Sequence, residues 1–562
     1  MIMPWFVCAM LGCQVAPSSE VGATRTGNAA LDYYKAVLSL RFQQEEVSSA
    51  ADAYASSGWD LATLNARVAE RYAVQRPFAA ASRLLACAAS RPHCDFERTP
   101  ETGENDWEFG GMMDLRNAAV IDAALCRVAG KHLEAATILE DTTLLGIRFS
   151  QDAVMIQALV GAAISMQGIQ ELQRICCDGT VAARERLAIL AQLRKQFAKR
   201  RHLKLSFQSA LERERAWQQG HLQALVAAWP DLTVDERGQR LESTFLFWLA
   251  DDHPMRQVLL ATDARFLERL AEWSADAKAQ APWPSAIDRS DFASAFPLLR
   301  DYDQRLAALS KDVEDGRRMN PCLLSGPFSG YSNFAQTLTA RQARIDAFAL
   351  ACAALELAAS GIDPASSAEL ARLFPDGVPL DPHTGEAFEL AIVDGRPVVR
   401  TKWRPPLEDG EDVAALDHDA ILVDLRPIFV LGSDYSGVIL ASEAVAALGI
   451  SNVRAFQPTP VHVAALEAAL RPVSERAASA EFLGDQSAYR RQYVAYEENG
   501  ALKVVGNFIH VDSLECSEYH EQLQLTRSGA QRVLVTYDVT NAVILRCETS
   551  GAPDAPIDGE DP

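Results

Sequence analysis

The chain has 562 residues, 49% apolar and 23% charged, which is enough for two or three packed units and too apolar for disorder throughout. Its formal net charge of −22 argues against a nucleic-acid-binding surface, because holding phosphates takes clustered cations that displace counterions. The reading is therefore an acidic protein that does not bind nucleic acid.

In chain order, residues 2–11 of MIMPWFVCAMLGC form an apolar run. It is far short of the roughly 20 residues a membrane-spanning helix needs and is about the length of a signal-peptide apolar region. Met10-Leu11-Gly12-Cys13 resembles a bacterial lipobox, in which a small residue admits the peptidase and the thiol forms a thioether to lipid. The resemblance implies that Cys13 is the lipid-attachment residue, that 1–13 is the signal segment, and that the Ser/Gly/Ala-rich stretch 14–27 is a tether. Two features depart from the motif: no Lys or Arg precedes the run, and Met10 stands where Leu is usual. The alternative is an apolar N-terminal segment packed in a cytoplasmic protein. Without Cys8 and Cys13, nine of the eleven cysteines remain, so at least one lacks an intramolecular partner. Cys87 and Cys94, flanking a short loop, are the candidate disulfide; the alternative is reduced thiols packed as small apolar side chains. No CxxC pair occurs, and the Cys87-His93-Cys94-Asp95 spacing matches no established metal site, so neither a metal nor a cofactor is expected.

From 28 to about 358 the pattern is helical. Asn28 is the predicted N-cap of a helix whose Leu31, Tyr34, Val37 and Leu38 share a face, and 61–89 repeats the behaviour. A polar loop follows over 90–111, then two helices over 112–144 joined at Ala129-Gly130-Lys131, with His132 read as a surface residue. The GKHLEAA phrase resembles the turn of tetratricopeptide-like helix pairs, but one copy implies local helix pairing only. Residues 153–170 carry no charge, yet Gln157, Ser165, Gln167 and Gln170 favour a central core helix over a membrane span. The cations Arg194, Lys195, Lys199, Arg200, Arg201 and Lys204 read as a solvated helix face, with an anionic-lipid or nucleic-acid patch as the rival. Further helices are expected over 180–251, 263–279 and 334–359.

After Gly361-Ile362-Asp363-Pro364 come a short helix, the turn Asp381-Pro382-His383-Thr384-Gly385, and two strands around Asp394-Gly395, a strong hairpin signal. This segment resembles one in exported planctomycete-type proteins of uncharacterised function, where a DPxTG turn leads into a hairpin. DPHTG reads as structural, Pro382 and Gly385 setting the turn and Asp381 accepting backbone N–H groups. Residues 405–452 read as an acidic linker with short strands, and 453–549 as an α+β unit: an amphipathic helix from Pro460, then YRRQYVAYEENGALKVVGNF and VLVTYD. The unit resembles a C-terminal α+β module of uncharacterised exported bacterial proteins, its Tyr489, Tyr493, Tyr496 and Asn507-Phe508 standing at the module's aromatic and Asn-aromatic positions. Arg490, Arg491, Tyr493 and Asn507 are the candidate binding surface; the alternative is an edge strand with Arg outside and Tyr inside. The tail 550–562 reads as disordered.

No GxSxG, HExxH, Walker A or GxGxxG motif is present, and no catalytic residue is assigned. The expected fold class is a mainly α N-terminal region (a helix-pair bundle, 28–404) ending in a small β-hairpin unit, then a C-terminal α+β module. The expected function is a non-enzymatic binding or structural role in the cell envelope. Its partner would be an envelope protein or an unidentified ligand, with membrane association through a lipid anchor only, or a periplasmic or extracellular location. The alternatives are a hydrolase whose site is assembled from distant residues, marked by a buried His–carboxylate pair, and a cytoplasmic helical adaptor.

Overall fold

A computed structural model of the protein describes residues 28–40, 78–96, 106–151, 153–200, 202–216, 283–287, 291–314, 330–364, 366–393, 395–404, 421–431, 436–450, 453–474, 489–510 and 532–550. The lipobox with Cys13, the tether, the helices expected over 61–77, 217–251 and 263–279, the acidic run 405–420 and the tail 551–562 lie outside the described residues.

The N-terminal half is helical: α1 (Ala29–Leu40), α2 (Ala79–Ser90), α3 (Asp106–Val128), α4 (His132–Phe149), α5 (Met155–Cys176), α6 (Ala183–Lys199), α7 (Phe292–Glu314), α8 (Tyr331–Ala359) and the short α9 (Ser367–Leu373). Local chemistry ends these helices where the sequence marks them. Gly130, at φ +72°, closes α3 with Gly130 N–H on Arg127 O and Lys131 N–H on Cys126 O, and Gly361 closes α8 in the same way. Asn28 caps α1 as predicted, its Oδ1 accepting from Ala30 N at 3.1 Å and from Asp95 N at 2.8 Å. Two core helices borrow their caps from elsewhere in the chain. The Glu214 carboxylate accepts from Met155 N at 3.0 Å, and Asp303 accepts from Tyr331 N at 3.0 Å and Ser332 N at 2.8 Å.

The buried face of α1 is only partly the expected one: Tyr34 and Val37 pack against the core, Leu31 and Leu38 do not. Ala29, Tyr33, Ala36 and Leu40 face the core, while Leu31 and Leu38 are 58% and 50% exposed. Alanines let α2 approach closely, and Tyr33 gains an interior partner in Arg148. His132, expected at the surface, is buried. At the centre α4 and α5 run antiparallel with almost no side chain between them. A Cβ on Gly146 would fall 2.3 Å from Gly161 O, and one on Gly161 would fall 2.3 Å from Ser150 Oγ. Ser165 Oγ bonds back to Gly161 O at 2.9 Å, so the hydroxyl costs nothing inside. As expected, 155–176 is a core helix; no described helix is long and apolar enough to cross a membrane.

The strand-rich half holds two sheets. The first is three-stranded and antiparallel, β1 (Glu389–Val393), β2 (Arg396–Arg400) and β3 (Ile421–Asp424) in that order, with Gly395 at φ +72° in the hairpin turn. It shares its core with the helices: Val399, Leu422 and Val423 join the cluster of α8 residues such as Phe348 and Leu355. The expected linker region 405–452 is therefore divided. β3 completes the hairpin sheet, whereas β4 (Ile428–Leu431) and β5 (Ser436–Ile439) begin the second. That sheet has seven strands, ordered β10-β9-β8-β7-β5-β4, with β6 (Arg454–Phe456) also pairing β7 (Tyr489–Glu498). β8 (Ala501–His510), β9 (Arg532–Asp538) and β10 (Val543–Ser550) follow as an antiparallel meander, Asn499 and Gly500 at positive φ forming the β7–β8 turn. Helix α10 (Pro460–Ser474) covers one face through Val463, Leu466 and Leu470; the 3₁₀ turn Ser442–Leu448 covers the other through Val445.

Candidate functional site

The expected binding surface does not form one. Arg490, Arg491, Tyr493 and Asn507 are all buried, because β7 is a central strand rather than an edge. Alternation along the strand sends them to opposite faces. On the α10 face Tyr493 Oη donates to Glu467 at 2.6 Å, Arg491 lies 3.7 Å from the same carboxylate, and its guanidinium sits over the Phe508 ring. On the other face Asn507 Nδ2 donates to Gln492 Oε1 at 2.8 Å across one rung. Gly437 makes room for Tyr493, since a Cβ there would stand 2.6 Å from its ring. No disulfide joins Cys87 and Cys94: Cys87 is exposed, while Cys94 packs against the core.

DPHTG does hold a buried His–carboxylate pair. Asp381 Oδ1 accepts from His383 N at 2.9 Å and lies 3.0 Å from His383 Nδ1, while Oδ2 accepts from the Thr401 hydroxyl. Burial raises the Asp381 pKa, but the bonds from His383 and Thr401 outweigh it and hold the carboxyl below its usual range. The imidazole is stacked at 4.7 Å on Trp403 and meets Phe292 edge-on at 5.2 Å. Its Nε2 is buried with no hydrogen-bond partner, and no hydroxyl or thiol reaches it among the described residues. The arrangement locks a turn onto β2 and α7.

Helix α4 carries a second buried set that sequence reading missed. Glu140 pairs with Arg200 at 2.5 Å, and Asp141 lies 3.9 Å from the same guanidinium. Burial, then the Glu140 charge, push the Asp141 pKa up to about 7. Arg148 is spent on Ala88 O at 2.7 Å and Arg91 O at 2.5 Å. Arg194 of the predicted basic face is likewise turned inward onto Glu356 at 2.7 Å. These groups hold helices together. Among the described residues no cluster of three or more His, Cys, Asp or Glu side chains is placed to hold a metal ion.

What remains is the two ends of the large sheet, which differ. At β4 the helical body closes the edge: Phe429 N–H donates to Cys177 O at 3.0 Å and Gly179 N–H to Phe429 O at 2.9 Å, forming a parallel bridge at Asp178. Asp178 is anchored in turn by Arg127 Nη2 at 3.0 Å and the Thr180 hydroxyl at 2.6 Å. At the other end β10 pairs only with β9 among the described residues. Val543 and Leu545 are 45% and 49% exposed, and Arg546 and Cys547 are exposed as well. Leu545 is the extra residue of a bulge between Ile544↔Tyr537 and Arg546↔Thr536. Only the strand pairing itself could have shown β10 to be the edge; its alternating sequence fits an inner strand equally well.

No family model matches this sequence, and comparisons with curated proteins and with solved structures found no similar protein.

Proposed function

We propose that the chain is a non-enzymatic binding or structural protein of the cell envelope, tethered through a lipid on Cys13, whose C-terminal sheet receives a partner by strand addition along β10. The observation that supports this reading is the contrast between the sheet's ends. The β4 edge is closed by backbone bonds to 177–179, while β10 has no second strand partner among the described residues and carries exposed apolar side chains. Unpaired N–H and C=O groups on an edge are a template for an added strand, and side chains on alternate positions confer selectivity. The tether half of the proposal rests on Met10-Leu11-Gly12-Cys13 and on the resemblance to exported proteins.

Two measurements on the full-length protein expressed in a Gram-negative bacterium test it. The N-terminal peptide of the membrane fraction is weighed beside a Cys13→Ala control. A diacylated Cys13 that the control loses supports the tether, and an intact, unmodified Met1 in the soluble fraction overturns it. Backbone amide exchange reads the edge. The reading expects fast exchange at alternate β10 amides and slow exchange at Phe429; a uniformly protected β10 in the isolated protein overturns it.

A further inference from the structure

We infer that the helical body holds a small-molecule site: an open cleft along the outer face of α8 that takes an acidic sugar, its carboxylate or phosphate on Arg341 and Arg344 and its hydroxyls on the polar side chains beside them. The site lies apart from the sheet and does not depend on how β10 is used.

Helical spacing builds the cleft. Asn333, Thr337, Arg341 and Arg344 succeed one another along α8 at three- and four-residue steps, so they share one face, with Gln336 beside them. Met166 and Gln170, one turn apart on α5, form the rest of the wall. The cleft has a volume of about 640 Å³. Small-molecule sites span roughly 300–1,000 Å³. At about 1.5 Å of rise per residue, the row from Asn333 to Arg344 is about 16 Å long. An anion at the arginine end therefore leaves room beyond it for a ring of hydroxyls.

The cations differ from the others of the helical body. Arg127, Arg194 and Arg200 each meet a carboxylate. Among the described residues Arg341 and Arg344 meet none: Arg341 Nη1 donates to Leu159 O at 3.1 Å, and Arg344 is exposed. Burial, then the Arg344 charge, lower the Arg341 pKa, so the two guanidiniums act on each other as like charges. An oxyanion seated between them would turn that repulsion into two charge-assisted contacts, and the planar guanidinium fork matches carboxylate and phosphate oxygens. The overall charge of −22 makes an acid-free pair of arginines a local exception on this chain.

The remaining lining selects for hydroxyls. The amides of Gln170, Asn333 and Gln336 and the hydroxyl of Thr337 can each donate and accept, and among the described residues none is committed to a side-chain hydrogen bond within the protein. A bare inorganic anion would use the arginines alone. A polyhydroxylated ligand uses the whole row, and the buried Met166 offers an apolar contact to the C–H face of its ring.

The test is titration calorimetry on the full-length Cys13→Ala chain at low ionic strength, with glucuronate, glucose 6-phosphate, glucose and inorganic phosphate as probes. At least one acidic sugar should bind at least about tenfold more tightly than glucose and than inorganic phosphate. Tighter binding of glucuronate assigns a carboxylate to the arginines; tighter binding of glucose 6-phosphate assigns a phosphate. Arg344→Gln, an exposed change that circular dichroism should show to leave the fold intact, should weaken that binding at least about tenfold. Failure of both acidic sugars to bind, glucose or inorganic phosphate binding as tightly as they do, or an Arg344→Gln chain with the parent's affinity each overturn the inference.

Discussion

The helical body and the sheet module both bury charge, and they satisfy it over different distances along the chain. In the helical body the partners are remote in sequence: Arg127 with Asp178, Arg200 with Glu140, Arg194 with Glu356. In the module they are neighbours: Gln492 meets Asn507 across one rung, and Arg491 and Tyr493, two residues apart on β7, share Glu467 of the adjoining helix. A hairpin brings opposite residues together as soon as its turn forms. Helices meet their partners only after the whole bundle has packed. The module's buried amide pair is therefore set by local strand pairing, whereas its buried charge pair, Arg491 with Glu467, and the long-range pairs of the helical body both depend on tertiary packing.

Breaking one pair in each region should expose that difference. Arg127→Met leaves Asp178 and Glu171 buried with their shared cation gone and should cost about 3–5 kcal/mol in chemical denaturation. Because Asp178 anchors the bridge to Phe429, exchange at Phe429 N–H should accelerate in the same variant. Arg491→Met should cost less, about 1–3 kcal/mol, because Glu467 keeps the Tyr493 hydroxyl; an equal loss would show that the two regions rely on buried charge alike.

Packing gives a second contrast. Gly161→Ala sets a methyl 2.3 Å from Ser150 Oγ and 2.5 Å from Gly146 O, so the α4–α5 pair must separate, at about 1–3 kcal/mol seen as a lowered Tm. In the module, by contrast, the surface change Leu545→Lys should stay within about 0.5 kcal/mol.

The pH response of α4 sharpens the comparison further. Asp141 has its folded-state pKa raised from 3.8 to about 7, so between those values the folded chain binds more protons than the unfolded one. Stability contributed by the protonated carboxyl is thus whole below about pH 4 and lost as pH rises through 7. Asp141→Asn should be more stable than the parent by about 1–3 kcal/mol at pH 8 and about equal to it at pH 4, measured by urea denaturation at both values. A constant difference across that range would place the cost elsewhere than in ionisation.

Helix existence was legible wherever caps and glycines stood: Asn28, Gly130 and Gly361 mark ends the structure keeps. The hairpins around Gly395 and Asn499-Gly500 were equally plain, since those turns demand residues tolerant of positive φ. The buried face of α1 was legible only in part, through Tyr34 and Val37. Its leucines carried the periodic signal, while alanines and Tyr33 made the contact, because close approach rewards small side chains that a hydropathy pattern underweights. The candidate site was missed for a related reason. Arg490, Arg491 and Tyr493 were conspicuous in sequence and lie inside, whereas β10, inconspicuous in sequence, is the end strand of the sheet among the described residues.

By itself the sequence determined the local geometry: which segments are helices, where turns reverse the chain, and that DPHTG forms a tight turn, since these follow from backbone preferences within a few residues. Only the tertiary structure decided which strand is central and which is at the end of the sheet, which carboxylate caps which helix, and that residues 177–179 close the β4 end. Those outcomes depend on contacts between segments tens to hundreds of residues apart, as in Phe429 with Cys177 and Arg194 with Glu356, and no local preference encodes them.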